Sequence, residues 1–227
     1  MKKLICKGFL FLSVIAFILA SFSSVFIYKI DHRGKLLEGL YHSEDPYDVV
    51  LMGSSHMNGG IDPNVLWKQY GITSFNYATG GQPIDVTYYL LQEVLKKHTP
   101  SVVVVDLYYL GMTTEYGATG FTSNALDNMR FSWNKLKAIG SCTPPEEWIN
   151  FLLPTLKYHF RWSSLTASDF TYDSSDIYYL KGFSAGTQQY GKEDISYADT
   201  DKKADIPEKN LSYFYKFIEL AKEKGFQ

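Results

Sequence analysis

Between residues 47 and 107, short apolar runs typical of strands alternate with segments whose apolar residues have helical spacing. This order predicts an α/β fold. Three short runs are expected to form strands: the apolar run 47–52, the run 71–77, and the strongly β-branched run 101–107. Helical patterns separate these runs, and the clearer one has apolar residues at helical spacing between Pro83 and His98. The order βαβαβ predicts a parallel sheet that is covered by helices on both faces.

Local signals fix where two further helices begin or end. Asp62 is suited to the capping position before a helix, and Pro63 to its first turn, so a helix should follow the first strand. An amphipathic pattern over residues 211–225 predicts a helix that is closed by Gly225. In an α/β fold such a helix leads into a strand, and Phe226-Gln227 is its expected first step. We therefore expect the domain to be truncated at its carboxyl end.

The amino-terminal pattern is that of a membrane anchor. Residues 8–28 form an uncharged stretch of 21 residues, which at about 1.5 Å per residue spans roughly the 30 Å of a bilayer core. Lys2, Lys3 and Lys7 precede the stretch, as in a signal sequence. The length favours an uncleaved single-pass anchor over residues 1–28, with the rest of the chain extracytoplasmic. The alternative is a signal peptide that is cleaved near Ser21-Phe22-Ser23.

The composition and the hydrophobic periodicity divide the remaining chain into a stem and a domain. Residues 29–46 are predicted as a short polar stem and residues 47–227 as one domain. Periodicity fades over residues 112–207, which we interpret as a lid-like insertion over the carboxyl edge of the sheet, with a loop at 192–203. A helix interrupted by Pro154 is predicted over residues 148–158.

Aromatic residues are frequent in this insertion. They could stack on sugar rings, although packing within the insertion is the more common role for any one of them. The set is Phe121, Phe131, Trp133, Trp148, Trp162, Tyr172, Tyr178 and Tyr179.

Composition excludes several classes of function. The formal net charge is -2 and there is no basic stripe, so no nucleic-acid partner is expected. No cluster of residues has metal-ligand spacing, and no metal or other cofactor is predicted. The glycine-rich segment 53–60 fits neither nucleotide-binding pattern, G-x-G-x-x-G or G-x-x-x-x-G-K-[ST]. Cys6 lies before the apolar stretch and Cys142 in the domain, so no internal disulfide is expected.

The candidate chemistry lies directly after the first strand. Gly53 breaks that strand and is followed by Ser54 and Ser55. The turn at the carboxyl end of a parallel strand is where open α/β sheets carry their sites. Ser55 is therefore our candidate nucleophile.

Two of these turns resemble a known family. Gly53-Ser54-Ser55 after the first strand, and Asn76 followed by Gly80-Gly81 after the second, are similar to blocks I and II of the SGNH/GDSL hydrolase superfamily. The sequence of these turns is most similar to that of the membrane-anchored bacterial branch of the superfamily. That branch includes proteins that transfer acyl groups onto extracytoplasmic polymers. The resemblance implies a three-layer α/β/α, flavodoxin-like fold with Ser55 as nucleophile. It further implies that the backbone N–H groups of Ser55 and Gly81, or of Gly80 in place of Gly81, stabilise the oxyanion.

The chain departs from this family in two places. Leu110 stands where block III would carry an asparagine that donates to the oxyanion. No late Asp-x-x-His, the family's source of the general base, occurs at a suitable place, and we expect it to lie beyond Gln227. His159 is the one histidine free to replace that base. The other histidines lie in the stem, beside Ser55 or at a distant helix end: His32, His42, His56 and His98.

The resemblance implies acyl-ester chemistry at the cell envelope. We expect a serine hydrolase or an O-acyltransferase that acts on an envelope polysaccharide or a similar ester, and Ser55 would form the acyl intermediate. The alternative is a catalytically inactive, membrane-anchored module of the same fold that binds glycan or a partner protein.

Overall fold

The protein has a mixed α/β fold built around a small parallel sheet. A computed structural model describes residues 2–28, 32–42, 46–171, 178–186 and 205–227. The sheet consists of β1 (Val49–Met52), β2 (Ser74–Asn76) and β3 (Val102–Val105) in the order β2-β1-β3. Both pairings are parallel, as predicted from the βαβαβ order.

Eleven α-helices and three 3-10 helices lie in the described residues. The α-helices are α1 (Lys2–Phe26), α2 (His32–His42), α3 (Ser55–Gly60), α4 (Pro63–Tyr70), α5 (Ile84–Val94), α6 (Thr119–Leu126), α7 (Trp133–Cys142), α8 (Trp148–Leu152), α9 (Pro154–Tyr158), α10 (Ala167–Phe170) and α11 (Glu208–Lys224). The 3-10 helices span Tyr108–Gly111, Pro145–Glu147 and His159–Ser164.

Several local predictions are confirmed. The Asp62 side chain caps α4 by accepting a hydrogen bond from the Asn64 N–H at 2.8 Å, and Pro63 occupies its first turn. Pro154 separates α8 from α9. Gly225 ends α11 in the left-handed conformation, which glycine adopts without steric cost.

The central strand β1 is buried on both faces. On one face of β1, Leu51 packs against Met57 and Ala78. On the other face, Val50 and Met52 belong to the larger core. That larger core includes apolar residues of α2, α5, α6, α7 and α11. This burial on both faces explains why the β1 sequence is a continuous apolar run.

The chain returns to the sheet after α11. The Gln227 N–H donates to the Ser101 carbonyl at 2.9 Å, and the Val103 N–H donates to the Gln227 carbonyl at 2.7 Å. These two bonds follow the pattern of a parallel bridge beside β3. Phe226, just before them, is buried in the core. Residues 226–227 thus pair with the edge of β3, where the sequence predicts a strand to begin.

The segment predicted as a polar stem contains α2, which packs in the core. Leu36, Leu37 and Leu40 are buried, and the Tyr41 hydroxyl donates to Glu93 Oε1 of α5 at 2.9 Å. The apolar residues of α2 are few and are interrupted by charged residues. This pattern is typical of a solvent-exposed segment. Described residues 32–42 therefore belong to the domain.

Truncation of Leu40 tests this assignment. Leu40 is 0% exposed, so Leu40→Ala should lower the free energy of unfolding by about 2–5 kcal/mol, because it leaves a cavity. The matched control is Leu107→Ala at an exposed position, which should change stability by less than about 1 kcal/mol. Urea denaturation of the detergent-solubilised protein measures both values. Equal, small effects would mean that α2 stands apart from the domain.

The described part of the predicted insertion is largely helical and helps to form the core. Helices α6 to α10 occupy described residues 119–170, and α7 packs along α5, where Asn134 Nδ2 donates to the Tyr89 carbonyl at 3.0 Å. Leu126, Ile139 and Phe151 from this region are buried in the core. These helices are too short to show clear periodicity in the sequence. The predicted loop at 192–203 and Tyr172 lie outside the described residues.

Helix α1 is long and apolar enough to cross a membrane. It has 25 residues and a mean hydropathy of 2.4 over its most apolar window, and nearly all of its side chains face away from the domain. This finding agrees with a single-pass anchor.

Candidate functional site

The turn after β1 places Ser55 at the surface. Gly53 has φ +135°, a conformation that L side chains rarely adopt, and it turns the chain out of the strand. Ser54 then precedes α3 and is 1% exposed. Ser55 is the first residue of α3, and its side chain is exposed. The backbone N–H of a first helical residue has no acceptor within its helix, so the Ser55 N–H is suited to bind an anion.

Asp106 approaches this turn from the neighbouring strand. Met52 and Val105 are paired in the sheet, so Asp106 directly follows the last pair, opposite Gly53. The Asp106 N–H donates to the Met52 carbonyl at 2.9 Å. Asp106 Oδ2 accepts a hydrogen bond from the Ser54 N–H at 3.1 Å and a short one from the Ser54 hydroxyl. The carboxylate therefore fixes the residue next to the candidate nucleophile.

His56 belongs to the same group of contacts. Its Nδ1 lies 3.3 Å from Ser54 Oγ, and its ring packs on Tyr108 with a centroid distance of 4.0 Å and an interplanar angle of 33°. The Tyr108 N–H donates to Asp106 Oδ1 at 2.8 Å. Ser54, His56, Asp106 and Tyr108 thus form one polar cluster at the turn that carries Ser55.

The Asp106 carboxyl group has a lowered pKa. Burial raises this pKa, but hydrogen bonds from the Ser54 side chain and from the N–H groups of Tyr108 and Ser54 outweigh that effect. The folded pKa therefore lies below the ordinary value of 3.8. A carboxylate with a lowered pKa stabilises the folded state above its unfolded pKa, and this stabilisation is lost as pH falls through the folded pKa.

An acid titration tests this linkage. The free energy of unfolding should fall as pH is lowered below about 4, because the Asp106 carboxylate has the higher pKa in the unfolded chain, and proton binding there favours the unfolded state. In Asp106→Asn this part of the slope should disappear, since the amide does not titrate. Urea denaturation from neutral to acidic pH measures both slopes. Identical slopes in the two proteins would show that Asp106 does not carry the effect.

The turn after β2 is bound to the turn after β1. The Thr79 N–H donates to the Gly53 carbonyl at 3.1 Å, and Asn58 Nδ2 of α3 donates to the Ala78 carbonyl at 3.2 Å. Asn76 is fully buried, and its Nδ2 donates to the Met57 and Ile61 carbonyls at 2.8 and 3.2 Å. Asn76 therefore holds α3 in place, and the turns after β1 and β2 lie together.

Gly81 is constrained by a close neighbour. Its φ is +65°, and a Cβ atom at this position would lie 2.3 Å from the Phe121 ring of α6. At Gly80, a Cβ atom would meet nothing within 4 Å. Of the two candidate glycines, Gly81 is thus the one whose conformation and surroundings require glycine.

The chain matches no family model, no curated protein and no solved structure.

The structure does not bring His159 into this cluster. Its Nδ1 is 2.8 Å from the Leu156 carbonyl, its ring lies near that of Phe160, and its 3-10 helix packs beside α1 and α9. His98 follows α5 and packs on Tyr47, just before β1, at the opposite end of the strands. Within the described ranges, no histidine forms a hydrogen bond with the Ser55 hydroxyl.

Leu110 lies in the 3-10 helix after β3 and is partly buried against the core. Asn210 of α11 holds this helix, because its Nδ2 donates to the carbonyls of Leu110 and Met112 at 3.0 and 2.9 Å. The loop after β3 is therefore fixed from the side of α11.

The roles of Ser54 and Asp106 were not predicted from the sequence. One signal could have revealed them: aligning the ends of the parallel strands places Asp106 level with Gly53, one position beyond the last paired residues. A carboxylate at that position can reach the N–H groups of the neighbouring turn. The contact between Phe121 and Gly81 had no local signal, because it joins two segments that are 40 residues apart.

Proposed function

We propose that the protein is a serine acyl-ester hydrolase or O-acyltransferase of the SGNH type, with Ser55 as its nucleophile. The single observation that carries the proposal is the exposed Ser55 hydroxyl at the start of α3, at the carboxyl end of the central parallel strand. A serine in that position can attack an ester carbonyl and hold the acyl group. Water as second acceptor makes the reaction a hydrolysis, and a sugar hydroxyl makes it a transfer.

The oxyanion donors we assign are backbone N–H groups of the two turns. The Ser55 N–H is one, since it has no acceptor within α3. The Gly81 N–H is the second, supported by the bond between Thr79 and Gly53 that joins the turns. Donors of this kind stabilise the tetrahedral intermediate through fixed dipoles. Asp106 is assigned a positioning role, because it binds Ser54 and shapes the turn.

The proposed architecture is the three-layer α/β/α arrangement, supported by the burial of β1 on both faces. We further propose that α1 anchors the domain on the extracytoplasmic side, as the lysines before the apolar stretch suggest. The substrate class we favour is an ester on a cell-envelope polysaccharide, because an anchored enzyme acts beside the envelope.

A fluorophosphonate probe tests the nucleophile. The full chain is incubated with the probe in detergent or vesicles, digested, and the adduct is located by tandem mass spectrometry. We expect the adduct on Ser55 and not on the adjacent buried Ser54, which serves as an internal control. An adduct on Ser54, or no adduct on a folded protein, would contradict the proposal.

A second candidate is a catalytically inactive binding or scaffold module of the same fold. It is favoured by the observation that the Ser55 hydroxyl has no histidine partner among the residues that the structure describes. An unassisted serine is a weak nucleophile. This candidate predicts that Ser55→Ala preserves the cellular role of the protein, whereas the enzyme hypothesis predicts its loss.

A further inference from the structure

The last turns of α1 are fixed to the domain. Thr155 Oγ1 of α9 lies 3.1 Å from Ser23 Oγ and donates to the Leu19 carbonyl at 2.8 Å. Arg161, in the 3-10 helix that follows α9, donates to the Phe26 carbonyl at 2.5 Å. Its guanidinium carbon also lies 4.2 Å from the centroid of the Tyr28 ring. The direction in which α1 leaves the domain is therefore set by side-chain contacts.

These contacts place α9 near the level where α1 leaves the bilayer. A helix of 25 residues is about 37 Å long, whereas the hydrocarbon core of a bilayer is about 30 Å thick. The contacts begin at Leu19, about 10 Å before the end of α1 at Phe26. With α1 spanning a bilayer, segment 154–170 is expected at the depth of the lipid headgroups and the adjoining acyl chains.

The large exposed side chains of this segment, apart from His159, are apolar or aromatic, and its other exposed residues are small: Ser163, Ser164, Thr166, Ala167 and Ser168. Leu156 is 41% exposed, Phe160 58%, Trp162 73% and Phe170 59%. We call these four residues the shelf. Helix α10, which carries Phe170, also contacts α1. Exposed aromatic side chains are common at membrane interfaces, and a cluster of exposed apolar side chains marks an interaction surface.

The ionisable groups of segment 154–170 are directed away from the shelf. Arg161 and Asp169 are buried and paired with each other at 2.8 Å. Lys157 is paired with the buried Asp127 at 2.9 Å. A helical surface in contact with water normally carries its charges outward. This inverted arrangement leaves His159 as the one ionisable residue of the segment that is exposed.

We propose that the shelf lies in the interfacial layer of the membrane, so that the protein contacts phospholipid through both α1 and the domain. The lipid surface is the occupant because the shelf is continuous with the anchoring helix and its charged groups are paired away from it. Trp162 and Phe160 then lie among the headgroups, and α9 runs beside the end of α1. The domain is held against the bilayer.

Tryptophan quenching in vesicles tests this proposal. The full chain is reconstituted in phosphatidylcholine vesicles with lipids brominated close to the headgroup, and iodide is used in parallel as an aqueous quencher. Trp162→Phe is compared with Trp67→Phe, a matched variant of an exposed tryptophan on α4, away from α1. Trp162→Phe should remove a large part of the lipid-quenched fluorescence, whereas Trp67→Phe should remove part of the iodide-quenched fluorescence.

Two results would overturn the proposal. In one, Trp162→Phe leaves the lipid-quenched fraction unchanged and reduces the iodide-quenched fraction, so that Trp162 faces water. In the other, Trp162→Phe changes neither fraction, so that another protein surface covers the shelf. Both substitutions replace exposed side chains, and circular dichroism with thermal unfolding verifies that each variant is folded.

Discussion

Ser55→Ala is expected to remove the ester hydrolysis or acyl transfer that depends on the Ser55 hydroxyl, while leaving the protein folded. The loss follows because no other described group at this turn presents an exposed hydroxyl at the start of α3. Stability should change little, since the side chain is exposed and forms no hydrogen bond within the part of the chain that the structure describes. Hydrolysis of a chromogenic ester, together with thermal unfolding, measures both effects.

Ser54→Ala is the matched control, because the same substitution at the neighbouring serine is expected to lower stability and to leave Ser55 labelling intact. It removes the hydroxyl that bonds to Asp106, in a site that is almost fully buried. Stability should fall by about 1–3 kcal/mol, while a Ser55 adduct with the fluorophosphonate probe should still form. If Ser54→Ala abolished the adduct and Ser55→Ala did not, the nucleophile would be Ser54.

Gly53→Ala is expected to destabilise the whole site. A Cβ atom at Gly53 would lie 2.5 Å from Asp106 Cβ and 3.1 Å from the Asp106 nitrogen, and the φ of +135° is unfavourable for alanine. Backbone strain costs about 1–3 kcal/mol and overpacking a similar amount, so the free energy of unfolding should fall by about 2–6 kcal/mol. Denaturant unfolding measures the change, and Ser55 labelling should decrease in parallel.

Gly60→Ala, at the end of the same short helix, controls for the loss of a glycine. A Cβ atom there would meet nothing within 4 Å, and its φ is not positive. Its stability should therefore stay within about 1 kcal/mol of the unsubstituted protein. Equal effects at the two positions would mean that the contact between Gly53 and Asp106 does not matter.

The sheet was predictable because its strands carry strong local signals. The apolar run that ends at Met52 and the valines of β3 admit few other structures, and Asp62 with Pro63 fixes the start of α4. The core role of α2 was not predictable in the same way. Its three buried leucines stand among charged residues, and only contact with distant helices shows where they are buried.

The position of the candidate site on the backbone was predictable from the sequence, but its side-chain contacts were not. The position of Ser55 follows from the end of a strand, which is a local property of the sequence. The contacts of Ser54 with Asp106 join residues that are 52 positions apart, and the packing of Phe121 on Gly81 depends on α6. Such contacts depend on the register of the strands and on helix packing, which no short motif encodes.

The position of α6 also limits where the proposed chemistry can take place. Phe121 in its first turn lies on Gly81, while the neighbouring Gly120 lines a cavity together with Ile27 and Tyr28, just past the end of α1. Helix α6 therefore contacts the turn after β2 and also lies near the end of α1. In the proposed function the ester binds at this turn, so the packing of α6 helps to set how far from the end of the anchor a substrate is processed.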